Sequence, residues 1–380
     1  IIVLINHFNE KILPNGYLGV DIFFVISGYV ITSSLMNLEK DKFLSFFKVF
    51  IYRRFTRIYP VLIFIISIFL VAINFYDLNV KNTFFTGLSA IFAVSNIFLF
   101  IESNEYFSDI SSYNSFLHTW SLGIEEQFYL FIPFLVMAAI KKKFRQLRYA
   151  FVFLAILSLV ASHFMSIKDA QSSFYLLPFR AWELLVGASI ATIRQDNFSN
   201  FRFSFMPTVG LATILLCFYF IDENTLHPSF YTLLPVIGVG LIIIFANAKD
   251  PITILLQNKI MTSVGLISYG LYLWHFPVFS YISHAQMFQN VWVKLGAIVI
   301  VFLLSTSTYF LIEKPFRSFS SIKSKVFWPV LVIWILVLSS LAYWGTKDGL
   351  SSRFPKLVNI PSKPEKIENH KWFSNQINLN

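Results

Sequence analysis

The stretch HTWSLGIEEQFYLFIPFLVMAAIKKK (118–143) decides how the chain is read. It sets two adjacent carboxylates, Glu125 and Glu126, at the head of an apolar run and three lysines at its foot. Crossing a bilayer takes about 20 mostly apolar residues, so the run is a candidate span, and lysines mark the cytoplasmic end of such helices. The two acids then belong to the opposite mouth. Comparable runs recur along the chain, at about 1–8, 18–36, 58–76, 123–140, 148–165, 176–193, 205–221, 230–247, 263–283, 292–312 and 326–344. The first opens at IIVLINHFN without an initiator Met and reads as a helix whose beginning precedes Ile1. A further apolar segment, 84–101, would flip every later loop if it crossed.

Basic residues settle that point. With 84–101 left as a re-entrant or interfacial helix, one set of loops collects nineteen Lys and Arg and the opposite short loops four. Counting the segment as a span puts Lys141–Lys143 on the wrong side of this positive-inside pattern. The expected fold is therefore an all-α polytopic transmembrane bundle, with the tail from about 345 outside the cytoplasm. Composition agrees: 56% of the 380 residues are hydrophobic and 13% charged, against about 25% in soluble domains. The net charge of +10 is explained by cytoplasmic loops, and no soluble basic domain with interleaved aromatics suggests nucleic acid. The lone Cys217 excludes an intrachain disulfide. No Walker A loop, nucleophile elbow or zinc-spaced His/Cys set occurs.

Ionisable groups in apolar spans are expensive and become functional candidates. On the non-cytoplasmic side these are His118, Trp120, Glu125 and Glu126; Arg180, Trp182 and Glu183; Trp274 and His275; His7; and Asp21. Adjacent helix positions point about 100° apart, so Glu125 and Glu126 should differ, one facing inward and the other a wetter edge. Glu125 shares its face with Tyr129. Acids at a helix N-terminus are also favoured by the macrodipole alone. His7 is the residue type that acyl transfer onto a weakly nucleophilic hydroxyl requires as a base, although a core histidine bonded to a carbonyl looks the same in sequence. His275 reads as a structural neighbour of an aromatic belt, and His163, His227 and His284 as interfacial or loop residues. Arg54 and Arg57, at i, i+3, could fork onto phosphates or merely anchor the cytoplasmic face.

Seven stretches in order resemble the acyltransferase type 3 family of integral-membrane acyltransferases: His7 in the first helix, GYLGVDIFFVISGYVIT (16–32), RRFTRIYP (53–60), HTWSLGIEEQFYLFIP (118–133), LLPFRAWELLVGA (176–188), ISYGLYLWHFPV (267–278) and IEKPFR (312–317). The resemblance implies a membrane acyltransferase domain over 1–320 with about ten helices. It implies transfer of an acyl group, usually acetyl, from cytoplasmic acyl-CoA, without a metal, to a hydroxyl of an extracytoplasmic glycan such as lipopolysaccharide O-antigen, in a bacterial inner membrane. His7 takes the place of the family's essential histidine, and Arg54 and Arg57 that of its R-x-x-R pair near the donor. A family arginine eleven residues before that histidine falls before Ile1. Some members add an eleventh helix and a periplasmic SGNH-hydrolase-like domain; 326–344, followed by GLSSRFP (349–355) in the linker 345–380, resembles that junction without the domain. Glu125 is expected to act with His7 in catalysis, binding or orienting the acceptor or positioning His7, and Asp21, Ser27, Trp120, Arg180, Glu183 and His275 make up the expected substrate-binding set. The rival reading is a transporter of a lipid-linked sugar, which need not release CoA.

Overall fold

The computed structural model describes residues 1–9, 12–38, 43–73, 80–104, 114–140, 144–194, 205–221, 225–246, 250–285, 287, 290–317, 329, 332–337 and 340. Every regular element among them is helical, as the composition predicts. In chain order these are α1 (Ile2–Phe8), α2 (Gly19–Met36), α3 (Phe43–Ala72), α4 (Val80–Ile91), α5 (Ser95–Asn104), α6 (Trp120–Ile140), α7 (Phe144–Lys168), α8 (Ala170–Tyr175), α9 (Leu177–Arg194), α10 (Met206–Phe220), α11 (Leu233–Phe245), α12 (Pro251–Gln257), α13 (Lys259–His284), α14 (Val291–Thr308) and α15 (Lys314–Arg317). Among the described residues, five helical stretches are long and apolar enough to cross a membrane: Gly16–Met36, Leu44–Ala72, Arg145–Lys168, Ala170–Ile193 and Val291–Arg317. The chain is a multi-pass membrane protein. Helices α10 and α11, with 15 and 13 residues, are shorter than the expected spans. The eleventh expected span is described only at 329, 332–337 and 340, all helical, and 345–380 lies outside the described residues.

Two expectations change in detail. Helix α3 begins at Phe43, well before 58. Its basic residues do not interrupt it, because Phe46 and Phe50 bury one face while Arg53 stays exposed. The segment 84–101 is not one helix but two, α4 with 12 residues and α5 with 10, each too short for a span of about 20 residues. The break is a Schellman turn: Val94 N–H bonds the Ser89 carbonyl at 2.9 Å and Ala93 N–H that of Ala90 at 3.2 Å. Ala93 sits at φ 59°, the left-handed position that glycine usually fills.

The chain divides into two compact units, one built from Ile1–Ile51 and Ser121–Leu266, the other from Tyr52–Trp120 and the described residues from Ile267 onward. In the first, α2 and α9 cross with their backbones touching. A Cβ at Gly28 would lie 1.9 Å from the Leu184 carbonyl oxygen, and one at Gly187 would lie 2.0 Å from that of Val25. Small residues let membrane helices approach this closely, where packing must replace the hydrophobic effect. Gly210 and Gly238 do the same for α10 and α11. Helix α7 lies against α9 and carries buried Ser158, Ser162 and Ser166 at i+4 spacing, one stripe of a helix face. Their hydroxyls all go to proline carbonyls: Ser158 to Pro178 at 2.6 Å, and Ser162 (3.2 Å) and Ser166 both to Pro228. In the second unit, Trp274 of α13 donates to Thr308 of α14 at 2.9 Å, beside the close packing of Gly270 on Ser305. Tyr269 donates to the Ile58 carbonyl of α3 at 3.0 Å.

Replacing Gly28 by Leu must push α9 away. Overpacking of this kind costs roughly 1–3 kcal/mol, sometimes more, so Gly28→Leu should lower the melting temperature in detergent and reduce the protein recovered from membranes. An unchanged melting curve would contradict the described crossing. Ala93→Gly should raise stability by about 1 kcal/mol, since a left-handed non-glycine residue costs roughly that much.

Candidate functional site

The first unit contains a fully buried charge network. Asp21 enters it from the first turn of α2, and Arg180 and Glu183 from one face of α9 at i, i+3. Arg180 Nη1 donates to Asp21 Oδ1 at 2.7 Å and to Glu183 Oε1 at 3.0 Å, and all three side chains have no exposed surface. The second Asp21 oxygen meets His227 Nε2 at 2.9 Å, with the imidazole 3% exposed. A buried charge is tolerated when paired and hydrogen-bonded, and this set meets that condition at its centre.

The local sequence explains the geometry. A helix running through α8 into α9 would bond the Phe174 carbonyl to the N–H of residue 178, but residue 178 is proline and has none. The chain instead breaks at Leu176, in extended backbone, and α9 restarts with Pro178 in its first turn, where the missing N–H does no harm. The freed Phe174 carbonyl accepts from Arg180 Nε at 3.2 Å, while the Phe174 ring lies 5.0 Å from the guanidinium carbon. Ser158 accepts from Trp182 N–H at 3.0 Å while donating to the Pro178 carbonyl, so α7 fixes the first turn of α9 from both sides.

His227 comes from the segment before α11, which sequence reading left as interfacial or loop. The ring packs edge-on to Tyr17 at 4.9 Å. Asn15 ties the turn before α2 to the end of α10, donating to the carbonyls of Phe218 at 3.2 Å and Ile221 at 2.7 Å. Asn6 ties α1 to the same turn through the Leu13 (2.8 Å) and Pro14 (3.1 Å) carbonyls. These bonds gather the last turn of α1, the first turn of α2 and the His227 segment at one end of the unit. His7, half-buried, is in that last turn of α1.

Farther along α2, Ser27 meets α6. Glu125 Oε1 accepts from both the Ser27 hydroxyl and the Tyr129 hydroxyl, and those two oxygens are 3.2 Å apart. Glu125 and Tyr129 share a face as the i, i+4 spacing requires, and the Phe50 ring stands edge-on to Tyr129 at 6.3 Å. Glu126 departs from expectation. It is as buried as Glu125, at 6% exposure each, and faces no wetter edge, because Ser121 to Ile124 ahead of the acids are buried all round the helix.

In the second unit, His275 is buried and its Nδ1 donates to the carbonyls of Tyr272 at 2.6 Å and Leu271 at 3.2 Å. Its ring stands edge-on to His118 at 5.4 Å, and the Tyr272 hydroxyl donates to the His118 carbonyl. Both bonds run to carbonyls of its own helix turn. Trp120 is buried at the start of α6. Arg54 and Arg57 are half-buried on α3, and the buried Glu313 lies within electrostatic range of Arg57 and accepts from Arg317 at 3.1 Å.

Of the expected site residues, the first unit thus joins Asp21, Arg180 and Glu183 in one cluster and Ser27 with Glu125 in another. Helices of membrane-crossing length, with a charge network buried between two of them, define a membrane protein with a polar site inside the bundle. Its family is found in its sequence: the acyltransferase domain family matches residues 2–313, and the chain belongs to that family. Among curated relatives, the O-acetyltransferase OatA of Staphylococcus aureus strain MRSA252 is 29% identical over 388 residues, covering 92% of this chain and 62% of that protein. A putative O-acetyltransferase of S. aureus strain COL is 29% identical over 333 residues, covering 83% of this chain and 55% of its own. The chain therefore spans less than two thirds of the length of these relatives. No solved structure matches it.

Removing Arg180 leaves two buried carboxylates facing each other. Breaking a buried pair in this way costs about 3–5 kcal/mol, so Arg180→Ala should abolish stable folding, read as loss of the monodisperse detergent peak. The double variant Arg180→Met/Asp21→Asn should recover part of it.

Proposed function

We propose that this chain carries out transfer of an acyl group, most simply acetyl, from acyl-CoA on the cytoplasmic side of a bacterial cytoplasmic membrane to a hydroxyl of an extracytoplasmic surface glycan. The single observation that carries the reading is the family match, which runs through His7, Arg54, Arg57 and Glu125 alike. The relatives' names specify O-acetyl transfer and name no acceptor; lipopolysaccharide O-antigen is one acceptor of the required chemistry. In this reading Arg54 and Arg57 hold donor phosphates, since guanidinium forks match phosphate oxygens. A hydroxyl must lose its proton as it attacks the thioester carbonyl, and a neutral imidazole is suited to take it. His7 supplies that imidazole, either as the base or by carrying the acyl group as an intermediate before the hydroxyl attacks. Glu125 supports the acceptor end: its carboxylate is already bonded to two hydroxyls and can exchange one for a substrate hydroxyl.

The test uses the full-length protein in its host. The gene is deleted and complemented with wild type or His7→Ala, and the surface glycans are weighed by mass spectrometry. Deletion should remove the mass of the acyl group, and only wild type should restore it, with both proteins present at equal level. Membranes carrying wild type should also release free CoA from acetyl-CoA in step with glycan acylation. Glycan stranded on the cytoplasmic side, with no CoA released, would instead identify a transporter.

A further inference from the structure

Asp21 presents two carboxylate oxygens, and both are taken, one by Arg180 and one by His227 Nε2. A carboxylate held by a guanidinium can only accept hydrogen bonds, so the proton between Asp21 and His227 resides on Nε2. The other ring nitrogen, Nδ1, is then a bare lone pair. It is buried, and it has no hydrogen-bond partner among the described residues. The second oxygen of Glu183, the other carboxyl bonded to Arg180, is likewise buried with no hydrogen-bond partner among the described residues. Leaving a buried acceptor unsatisfied costs about 1–3 kcal/mol, and here two such acceptors flank one ion pair. Both call for a donor from outside the protein, which a compound bearing hydroxyls supplies.

The supporting shell orients rather than merely covers. Arg180 is locked by the Phe174 carbonyl and ring, Tyr17 stands against the imidazole, and Ser162 and Ser166 hold the carbonyl of Pro228, the residue after His227. A base held in one tautomer by a carboxylate that is itself held by a third group is the arrangement general-base catalysis uses. In addition, burial lowers the pKa of His227, which keeps the ring neutral near pH 7.

We propose that His227, oriented by Asp21, is the general base for the acceptor hydroxyl, with Glu183 Oε2 receiving a neighbouring hydroxyl of the same polyol. The inference rests on the acyl-transfer reading and reassigns one role within it. As the hydroxyl oxygen bonds the acyl carbon, its proton passes to His227 Nδ1 and the bond from that carbon to its leaving group breaks. The imidazolium, stabilised by Asp21, then returns the proton to the departing thiolate, or to the His7 nitrogen where the acyl group has been carried there. The base in the hydroxyl step is then His227 and not His7.

The experiment uses full-length protein in native membranes, radiolabelled acetyl-CoA and surface glycan purified from the deletion strain. His227→Gln should lower the rate of label transfer about 10²- to 10⁴-fold, the usual contribution of a general base, with protein level and melting temperature near wild type. Added imidazole should restore part of the rate to His227→Gly, which a purely structural ring would not allow. The wild-type rate should fall as pH drops through the lowered His227 pKa, below the ordinary value of 6.5, and His227→Gln should lack that limb. The groups facing this ring are Asp21, Arg180 and Tyr17, with Glu183 next to both Asp21 and Arg180. Near wild-type transfer by His227→Gln while His7→Ala is dead would overturn the proposal and leave the acyl-transfer reading intact. Failure of both His227 variants to accumulate, or absence of imidazole rescue, would make the ring a packing element and overturn it too. No label transfer by wild type would overturn the acyl-transfer reading itself.

Discussion

The close crossing of α2 and α9, at Gly28 against Leu184 and Gly187 against Val25, is the constraint on which the first unit depends. Because neither glycine has a side chain, α2 and α9 meet backbone to backbone, and the Leu184 and Val25 carbonyls occupy the space a Cβ would need. That approach fixes the distance between Asp21, near the start of α2, and Arg180, near the start of α9. An ion pair at 2.7 Å tolerates little error in helix spacing. A crossing opened by one methyl group on each side would separate the charges while keeping them out of water, the most unfavourable arrangement available to them. Packing thus comes first, and the electrostatics are affordable because of it.

The second requirement is directional. A guanidinium has five donors, and a buried one must place them. Proline at 178 contributes by what it lacks: without its N–H, the Phe174 carbonyl is left for Arg180 Nε. Proline at 228 offers its carbonyl to two serines of α7 and so holds the residue before it, His227, against Asp21. Two prolines that interrupt regular structure therefore position the two cationic or basic side chains, one by freeing the Phe174 carbonyl and the other by offering its own. The same break between α8 and α9 explains why a segment apolar enough to be one span is built as two helices.

Much of this was legible in the sequence, for identifiable reasons. Apolar runs of bilayer length and the asymmetry of Lys and Arg announce the helices, and the rejection of 84–101 as a span agrees with its division at Ala93. Asp21, Arg180 and Glu183 stood out because charge in an apolar run is conspicuous. The pairing of Glu125 with Tyr129 followed from helical spacing. His227 did not stand out, because it lies in a polar connection where a histidine is unremarkable; the usable signal was that loop parity places it on the same side of the membrane as Asp21 and Arg180. The burial of Glu126 was hidden for a different reason. One helix's periodicity says which residues share a face, but not how many faces are covered by other helices.

The serine stripe ties a helix that is mostly exposed on its other faces to the buried network. On its other faces α7 presents Phe153, Ile156, Leu157, Val160, Phe164 and Ile167 to the outside, and only 28% of its most apolar window is buried within the protein. A helix so widely in contact with lipid follows the hydrocarbon thickness around it by tilting. Its inner face, however, grips the carbonyls beside Arg180 and His227 through three hydroxyls. Any tilt of α7 would therefore move the two proline carbonyls that its serines hold beside the Asp21 network. The bilayer is, in that sense, a mechanical part of the site.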